Sequence, residues 1–303
     1  MKILKKAIVV MCAIATSWSV AEANGEIKTT PAKKSLKILM IGNSFSICNT
    51  RNMPQICQSM GLDLELGSLY IGGCSLARHW ENVKKEGKDF APYSYRFFKA
   101  GKQVKNAPKK WNVPEALRSK AWDIVTIQQA SHFSIDIKTY SPYGENLIAK
   151  IKELCPSAEI VLQETWSYTP FDNRLKKWGI DQNEMYARLN KAYYDFAKAN
   201  SLRVIPVGQA VQMWRKMLPV KYTENSLGGD VVGDLKFTKK ENGSYEADGD
   251  PFHFNEKGNY LQSMVWTAML FDVDVTKCKF IRDKTIGAEN CRLMQKIANE
   301  VVK

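Results

Sequence analysis

The feature that most constrains this chain is a regular alternation of short apolar runs with longer amphipathic ones. Residues 36–41, 64–71, 122–127, 159–162 and 202–206 are rich in apolar side chains and have strand length. Residues 53–60, 76–84 and 143–154 read as helices. In residues 181–200, Met185, Leu189, Tyr193 and Phe196 fall on one helical face behind Asp181 and Glu184 at capping-box spacing. Short buried strands alternating with helices predict the α/β class, with a central parallel sheet of five strands and helices on both faces. Two stretches break the rhythm. Residues 88–111, rich in aromatics and lysine, read as an inserted hairpin or loop, and the glycine-rich, polar residues 222–250 read as an irregular loop of the kind that often binds ligands.

The first residues address location. Residues 1–6 carry three lysines, 7–20 are almost entirely apolar, and Ala21-Glu22-Ala23 offers a small-x-small cleavage site. This is the layout of a secretory signal peptide over residues 1–23, followed by a polar linker over 24–35 and a single domain over 36–303. The apolar stretch is shorter than the roughly 20 residues of a membrane-spanning helix, and no later run reaches that length. The expectation is an exported protein, periplasmic or extracellular, with no transmembrane segment. Cleavage would lower the formal net charge from +13 to +11. The lysines are scattered in pairs, with no arginine-rich stripe, so a solvated basic surface is expected and no nucleic-acid partner; an acidic polysaccharide is compatible with it. Six cysteines follow the leader, and Cys278 with Cys291 is the first pair to test for a disulfide. There is no Cys-x-x-Cys, and only three histidines are present, so neither a metal site nor a cofactor is expected.

One strand end stands out. The run Lys37-Ile38-Leu39-Met40-Ile41 stops in Gly42-Asn43-Ser44, which places Ser44 just beyond the carboxyl end of the first strand. Ligands of parallel α/β sheets bind at that edge. A serine hydroxyl needs a base before it can act as a nucleophile. Among the three histidines, His253 has Asp250 three residues before it and an apolar helix starting near Asn255. A carboxylate at that spacing can hold the imidazole in the tautomer that accepts a proton from serine. Cys48 and Cys74 lie near the expected site, but no histidine singles either out as a nucleophile.

"GNSFS" and "DPFHFN" together resemble the first and last sequence blocks of the SGNH superfamily, also called GDSL-type hydrolases. More narrowly, "IGNSFS", "IGGCSLARHW", "WDIVTIQQASH" and the histidine block look like a branch of secreted SGNH-like proteins common in gut Bacteroidetes. The resemblance implies a flavodoxin-like three-layer α/β/α sandwich with Ser44 as nucleophile, His253 as base and Asp250 as orienting acid. It also implies an oxyanion hole formed by the backbone N–H groups of Ser44 and Gly73. The superfamily's third block supplies an asparagine amide, which this chain lacks. Gln129 or Gln128 is the expected substitute, with His132 and Ser131 as rivals. Arg78, His79 and Trp80 near Gly73, His132 after the third strand, and Glu164 and Trp166 after the fourth are candidates to line the pocket or contact substrate.

The function expected from these residues is that of a secreted serine esterase removing acetyl or other acyl groups from carbohydrate. The rival expectation is a non-catalytic or weakly catalytic glycan-binding protein on the same fold, which the unusual third block favours.

Overall fold

The computed structural model describes residues 34–85 and 90–303. The leader expected over residues 1–23 and most of the linker expected over 24–35 lie outside the described residues.

The chain opens with β1 (Ser35–Gly42), a one-turn helix α1 (Ser44–Ile47), α2 (Met53–Ser59) and β2 (Asp63–Tyr70), followed by α3 (Leu76–Lys84). β3 (Tyr93–Lys99), β4 (Lys102–Gln103) and β5 (Lys110–Trp111) come next, then α4 (Val113–Arg118), β6 (Ile124–Ile127), α5 (Tyr143–Leu154) and β7 (Glu159–Gln163). After α6 (Asn173–Trp178), α7 (Gln182–Asn200), β8 (Arg203–Ile205) and α8 (Val207–Met217), a hairpin of β9 (Val232–Lys239) and β10 (Tyr245–Phe254) leads into α9 (Glu256–Phe271), α10 (Asp283–Ile286) and α11 (Ala288–Val301).

β1 pairs in parallel with β2 on one side and β6 on the other, and β7 and β8 continue outward in parallel. The order β2-β1-β6-β7-β8 is the doubly wound arrangement the alternation predicts, and it puts β1 at the centre beside the point where strand order reverses. α3, α4 and α5 pack together on one face, while α2, α8 and α11 gather around α9 on the other. Ile38, Leu39, Met40, Ile124 and Val125 are fully covered, as strands flanked by helices on both faces require. α9 is buried nearly all round, which explains why its sequence is apolar without a clear polar face. In α7, Asp181 accepts from the Glu184 N–H and the four residues expected on one face are buried.

The two interruptions are more ordered than expected. Within 88–111, β3 runs antiparallel to β2 and is itself paired by β4 and β5, so this insertion widens the sheet. Tyr93, Tyr95 and Phe98 are core residues, and its aromatic richness serves packing. Residues 222–250, expected as an irregular loop, are largely the β9–β10 hairpin. In β9, half-buried Leu235 and Phe237 alternate with exposed Asp234, Lys236 and Thr238, but β10 carries an exposed run from Glu246 to Gly249 and shows no such pattern. The six cysteines after the leader are free thiols, Cys278 and Cys291, the first pair to test for a disulfide, among them. Among the described residues no helix is long and apolar enough to cross a membrane.

α9 starts against the hairpin base with almost no room. A Cβ on Gly258 would lie 2.4 Å from the Val231 carbonyl oxygen and 2.2 Å from Phe254 Cδ1. Backbone cannot yield as a flexible side chain can, so Gly258→Ala is expected to cost about 1–3 kcal/mol, read from the midpoint of urea denaturation.

Candidate active site

Ser44 is presented by a tight turn at the carboxyl end of β1. Gly42 is the last residue of the strand, and a Cβ there would lie 2.1 Å from Ser46 Oγ, so the turn closes tightly over a glycine. Asn43 is extended and caps α1, its Oδ1 accepting the Phe45 N–H at 2.9 Å. Ser44 is therefore the first residue of the helical turn. Below it, Gln163 Nε2 and Gln262 Nε2 both donate to the Phe45 carbonyl, at 2.8 and 2.7 Å. The Phe45 ring stacks on Trp166 with centroids 4.1 Å apart. These buried contacts leave the turn little freedom.

Asn43 also bridges three parts of the sequence. Its Nδ2 donates to the Cys74 carbonyl at 2.9 Å and its Oδ1 accepts from Gln128 Nε2 at 2.6 Å. Asparagine can donate and accept at once, whereas an ionised aspartate only accepts. Asn43→Asp would set a carboxylate oxygen against the Cys74 carbonyl. We expect a loss of about 1–3 kcal/mol in stability, checked by urea denaturation.

His253 and Asp250 arrive on β10 rather than on a free loop. The β9–β10 register runs regularly to Asp250 opposite Asp234 and resumes at Phe254 opposite Val232, so β10 bulges between them. Pro251, which has no N–H for the ladder, sits in the bulge, and its carbonyl accepts the Thr169 N–H at 3.0 Å. Asp250 Oδ1 accepts the backbone N–H groups of Phe252 and His253, both at 2.9 Å. Its Oδ2 meets His253 Nδ1 in a short contact, and His253 Nε2 lies 2.7 Å from Ser44 Oγ. Burial raises the Asp250 pKa, but the bonds from the His253 ring and from the two N–H groups outweigh it and bring it down to about 2. An ionised carboxylate only accepts, so Nδ1 carries the proton and Nε2 is left to accept from serine.

This depressed acid has a stability consequence. Its contribution is fully present above the unfolded value of 3.8 and is lost as pH falls through about 2. The stability gap between wild type and Asp250→Asn is therefore expected to be constant above about pH 4 and to shrink below it, as followed by thermal melting across pH.

The hairpin is anchored where it leaves the body. Asp230 is fully buried and takes two bonds from Arg215, Nε at 3.1 Å and Nη2 at 2.9 Å. Arg215 continues to Ser167 through its side chain and carbonyl, and the Tyr222 hydroxyl also donates to Asp230. Asn255 Nδ2 ties the Asp230 and Gly233 carbonyls together.

Ser44 and His253 open into a cavity of about 270 Å³. Gly73 lines it with φ +59, a backbone conformation glycine adopts without strain. Neither the Ser44 nor the Gly73 N–H is hydrogen-bonded to another described residue. His132 and Ser131 also line the cavity, together with residues the sequence did not single out, chiefly Arg174, Phe252 and Tyr70.

Several candidates lie elsewhere. Neither glutamine amide is available as an oxyanion donor. Gln129 is buried, its Oε1 accepting from the Leu76 and Ala130 N–H groups and its Nε2 donating to Thr139 at 2.9 Å, while the Gln128 amide is spent on Asn43. His79 points into the core beneath the Gly73 turn, 2.8 Å from the Tyr93 hydroxyl, and burial pushes its pKa down to about 3. Trp80 packs against the core outside the cavity. Glu164 is enclosed beneath α8, accepting from the Gln209 N–H and from Asn190 Nδ2; burial raises its pKa to about 7, and it does not reach the cavity. Trp166 is sandwiched between Phe45 and Phe254 with its indole N–H on the Phe252 carbonyl, so it offers no face to a sugar. Burial pushes the Cys48 and Cys74 thiols up to about 12, which leaves them without thiolate character.

No curated protein matches the chain. The crystal structure of a DUF4886 family protein from Bacteroides uniformis is similar, with a TM-score of 0.73 and 25% identity over 88% of this chain and 95% of that one. The structure of the lipase/acylhydrolase from Enterococcus faecalis aligns with a TM-score of 0.44 and 15% identity, over 78% of this chain and 96% of that one. The family model described as a domain of unknown function, DUF4886, matches residues 37–301, nearly the whole described body, and the chain belongs to that family.

Proposed function

We propose that this protein is an exported serine esterase that removes short acyl groups from carbohydrate. The observation that carries the reading is the continuous chain from Ser44 Oγ through the His253 ring to the Asp250 carboxylate, at the carboxyl edge of the sheet and open to a cavity. Ser44 Oγ attacks the ester carbonyl carbon and its proton passes to His253 Nε2. The carbonyl π electrons move to oxygen, and the oxyanion takes hydrogen bonds from the Ser44 and Gly73 N–H groups. Collapse expels the alcohol, which receives the proton from His253. Water then repeats the sequence on the acyl-enzyme and restores Ser44. Asp250 holds the ring and balances the imidazolium that forms.

The cavity beside Ser44, about 270 Å³, lies near the lower end of the usual range for small-ligand sites, about 300–1,000 Å³, and an acetyl group fits it. The leader-like first residues support export. With both glutamines committed elsewhere, two backbone donors remain, and a missing third donor lowers the rate by about 10²–10³ without removing the reaction. That deficit is what favours the rival reading of a glycan binder. The test is a series of p-nitrophenyl esters from acetate to decanoate given to purified protein. Release is expected to be fastest with acetate and to fall about 10²–10⁴-fold in Asp250→Asn. No release above that of the variant from any ester would contradict the esterase.

A further inference from the structure

Every charge-bearing side chain on the cavity wall is a nitrogen base: His253, His132 and Arg174. The two nearby carboxylates stand behind these groups, Asp250 on His253 and Asp172 on Arg174, the latter with its side chain only 3% exposed. His253 is used by the chemistry above; Arg174 and His132 are not.

Arg174 is held as a fixed plate. Its Nε and Nη2 donate to Asp172 at 2.9 and 2.6 Å, and its guanidinium lies over the Tyr168 and Phe252 rings at 4.1 and 4.2 Å. Nη1 has no hydrogen bond to any described residue, and the side chain is 29% exposed. Helix stability does not account for the residue, because a cation in the first turn of α6 opposes the helix dipole. His132 tilts against Phe133 with centroids 4.2 Å apart, and its ring nitrogens bond to no described residue. Burial and the neighbouring Arg174 charge both hold its pKa below the ordinary value. Asp172 takes Nε and Nη2 of Arg174 and offsets part of its charge, but Nη1 and the His132 ring are left on one wall without acceptors among the described residues, and an anion there would take hydrogen bonds from both.

We propose that Arg174 and His132 form an anion-binding wall that receives a carboxylate on the alcohol part of the substrate, so that the preferred ester is an acylated acidic sugar. The proposal rests on the esterase reading of Ser44. The carboxylate is placed on the carbohydrate because the proposed reaction releases the sugar as the alcohol and leaves a simple acyl group on Ser44. The basic chain, with a formal net charge of +13, or +11 once the leader is removed, would favour encounter with such a polyanion. Arg174, pre-organised by its stack and by Asp172, would discriminate by about 10- to 100-fold, the range of a charge-assisted hydrogen bond.

Two measurements separate this wall from the chemistry. The first compares kcat/KM for 4-acetoxybenzoate and for its neutral methyl ester, each divided by its rate of spontaneous hydrolysis. The corrected ratio is expected to favour the acid by at least about tenfold in wild type, to collapse in Arg174→Gln and His132→Asn, and to recover in part in Arg174→Lys, mainly through KM. The second measures binding of benzoate and benzamide to Ser44→Ala by titration, where no turnover is involved. Benzoate is expected to bind at least about tenfold tighter, with the difference lost when Arg174→Gln is added. Equal binding of the two, or a ratio unchanged by Arg174→Gln and His132→Asn, overturns the anion site. Preference for benzoate that depends on Arg174, in a protein that cleaves neither ester, keeps the anion site and rejects the esterase.

Discussion

Ser44→Ala is expected to lower kcat on p-nitrophenyl acetate by about 10⁵-fold while leaving the melting temperature within a few degrees of wild type. The contrast follows from what the hydroxyl touches. Its one hydrogen bond to the protein is to the His253 ring, so its removal costs the fold about 1 kcal/mol at most, whereas the reaction loses its nucleophile. His253→Ala is expected to cost a similar factor, because the serine then has no group to take its proton. The double variant should be scarcely slower than either single one, since the two residues act as a unit. Steady-state kinetics on all three variants, beside thermal melts, checks both parts.

Asp230→Ala should produce the largest effect on stability, about 3–5 kcal/mol. The Arg215 guanidinium would be left in a site where its side chain is only 7% exposed, with no carboxylate to balance it. Tyr222 would lose its acceptor and the Val231 N–H its cap. Because this cluster fixes the hairpin that carries Asp250 and His253, any protein that still folds should also lose activity. Adding Arg215→Met to Asp230→Ala is expected to recover much of the stability, since it removes the stranded charge. Urea denaturation of the single and double variants reads the difference, and additive losses would show that the pair is not coupled.

The architecture was legible because its signals are local. The five parallel strands are apolar runs of the right length, and helices such as Leu76–Lys84 and Tyr143–Leu154 carry their own periodicity and ends. Ser44, Asp250 and His253 could be singled out because a strand end and a three-residue spacing already narrow the chemistry. The hairpin reads as a loop from sequence because the alternation of Leu235 and Phe237 in β9 is short and β10 opens with an exposed run from Glu246 to Gly249 among turn-forming residues. His79 was placed near the pocket by its closeness to Gly73, although Leu76, His79 and Val83 follow helical spacing and form the buried face of α3. The glutamines of the third strand end could not be resolved from sequence, because their partners, Asn43 and Thr139, are set by tertiary placement. Arg174 gave no signal at all; its role depends on rings from Tyr168 and Phe252, which only the folded loop brings over it.

The central claim is that Ser44 is an activated nucleophile. Its most direct test is mass spectrometry of purified protein treated with a fluorophosphonate, a reagent that forms a covalent bond to a serine oxygen whose proton a base can take. One equivalent on the peptide containing Ser44, absent in Ser44→Ala and greatly slowed in His253→Ala, is the predicted result. No incorporation, incorporation at another residue, or labelling of Ser44 at an unchanged rate in His253→Ala would contradict it.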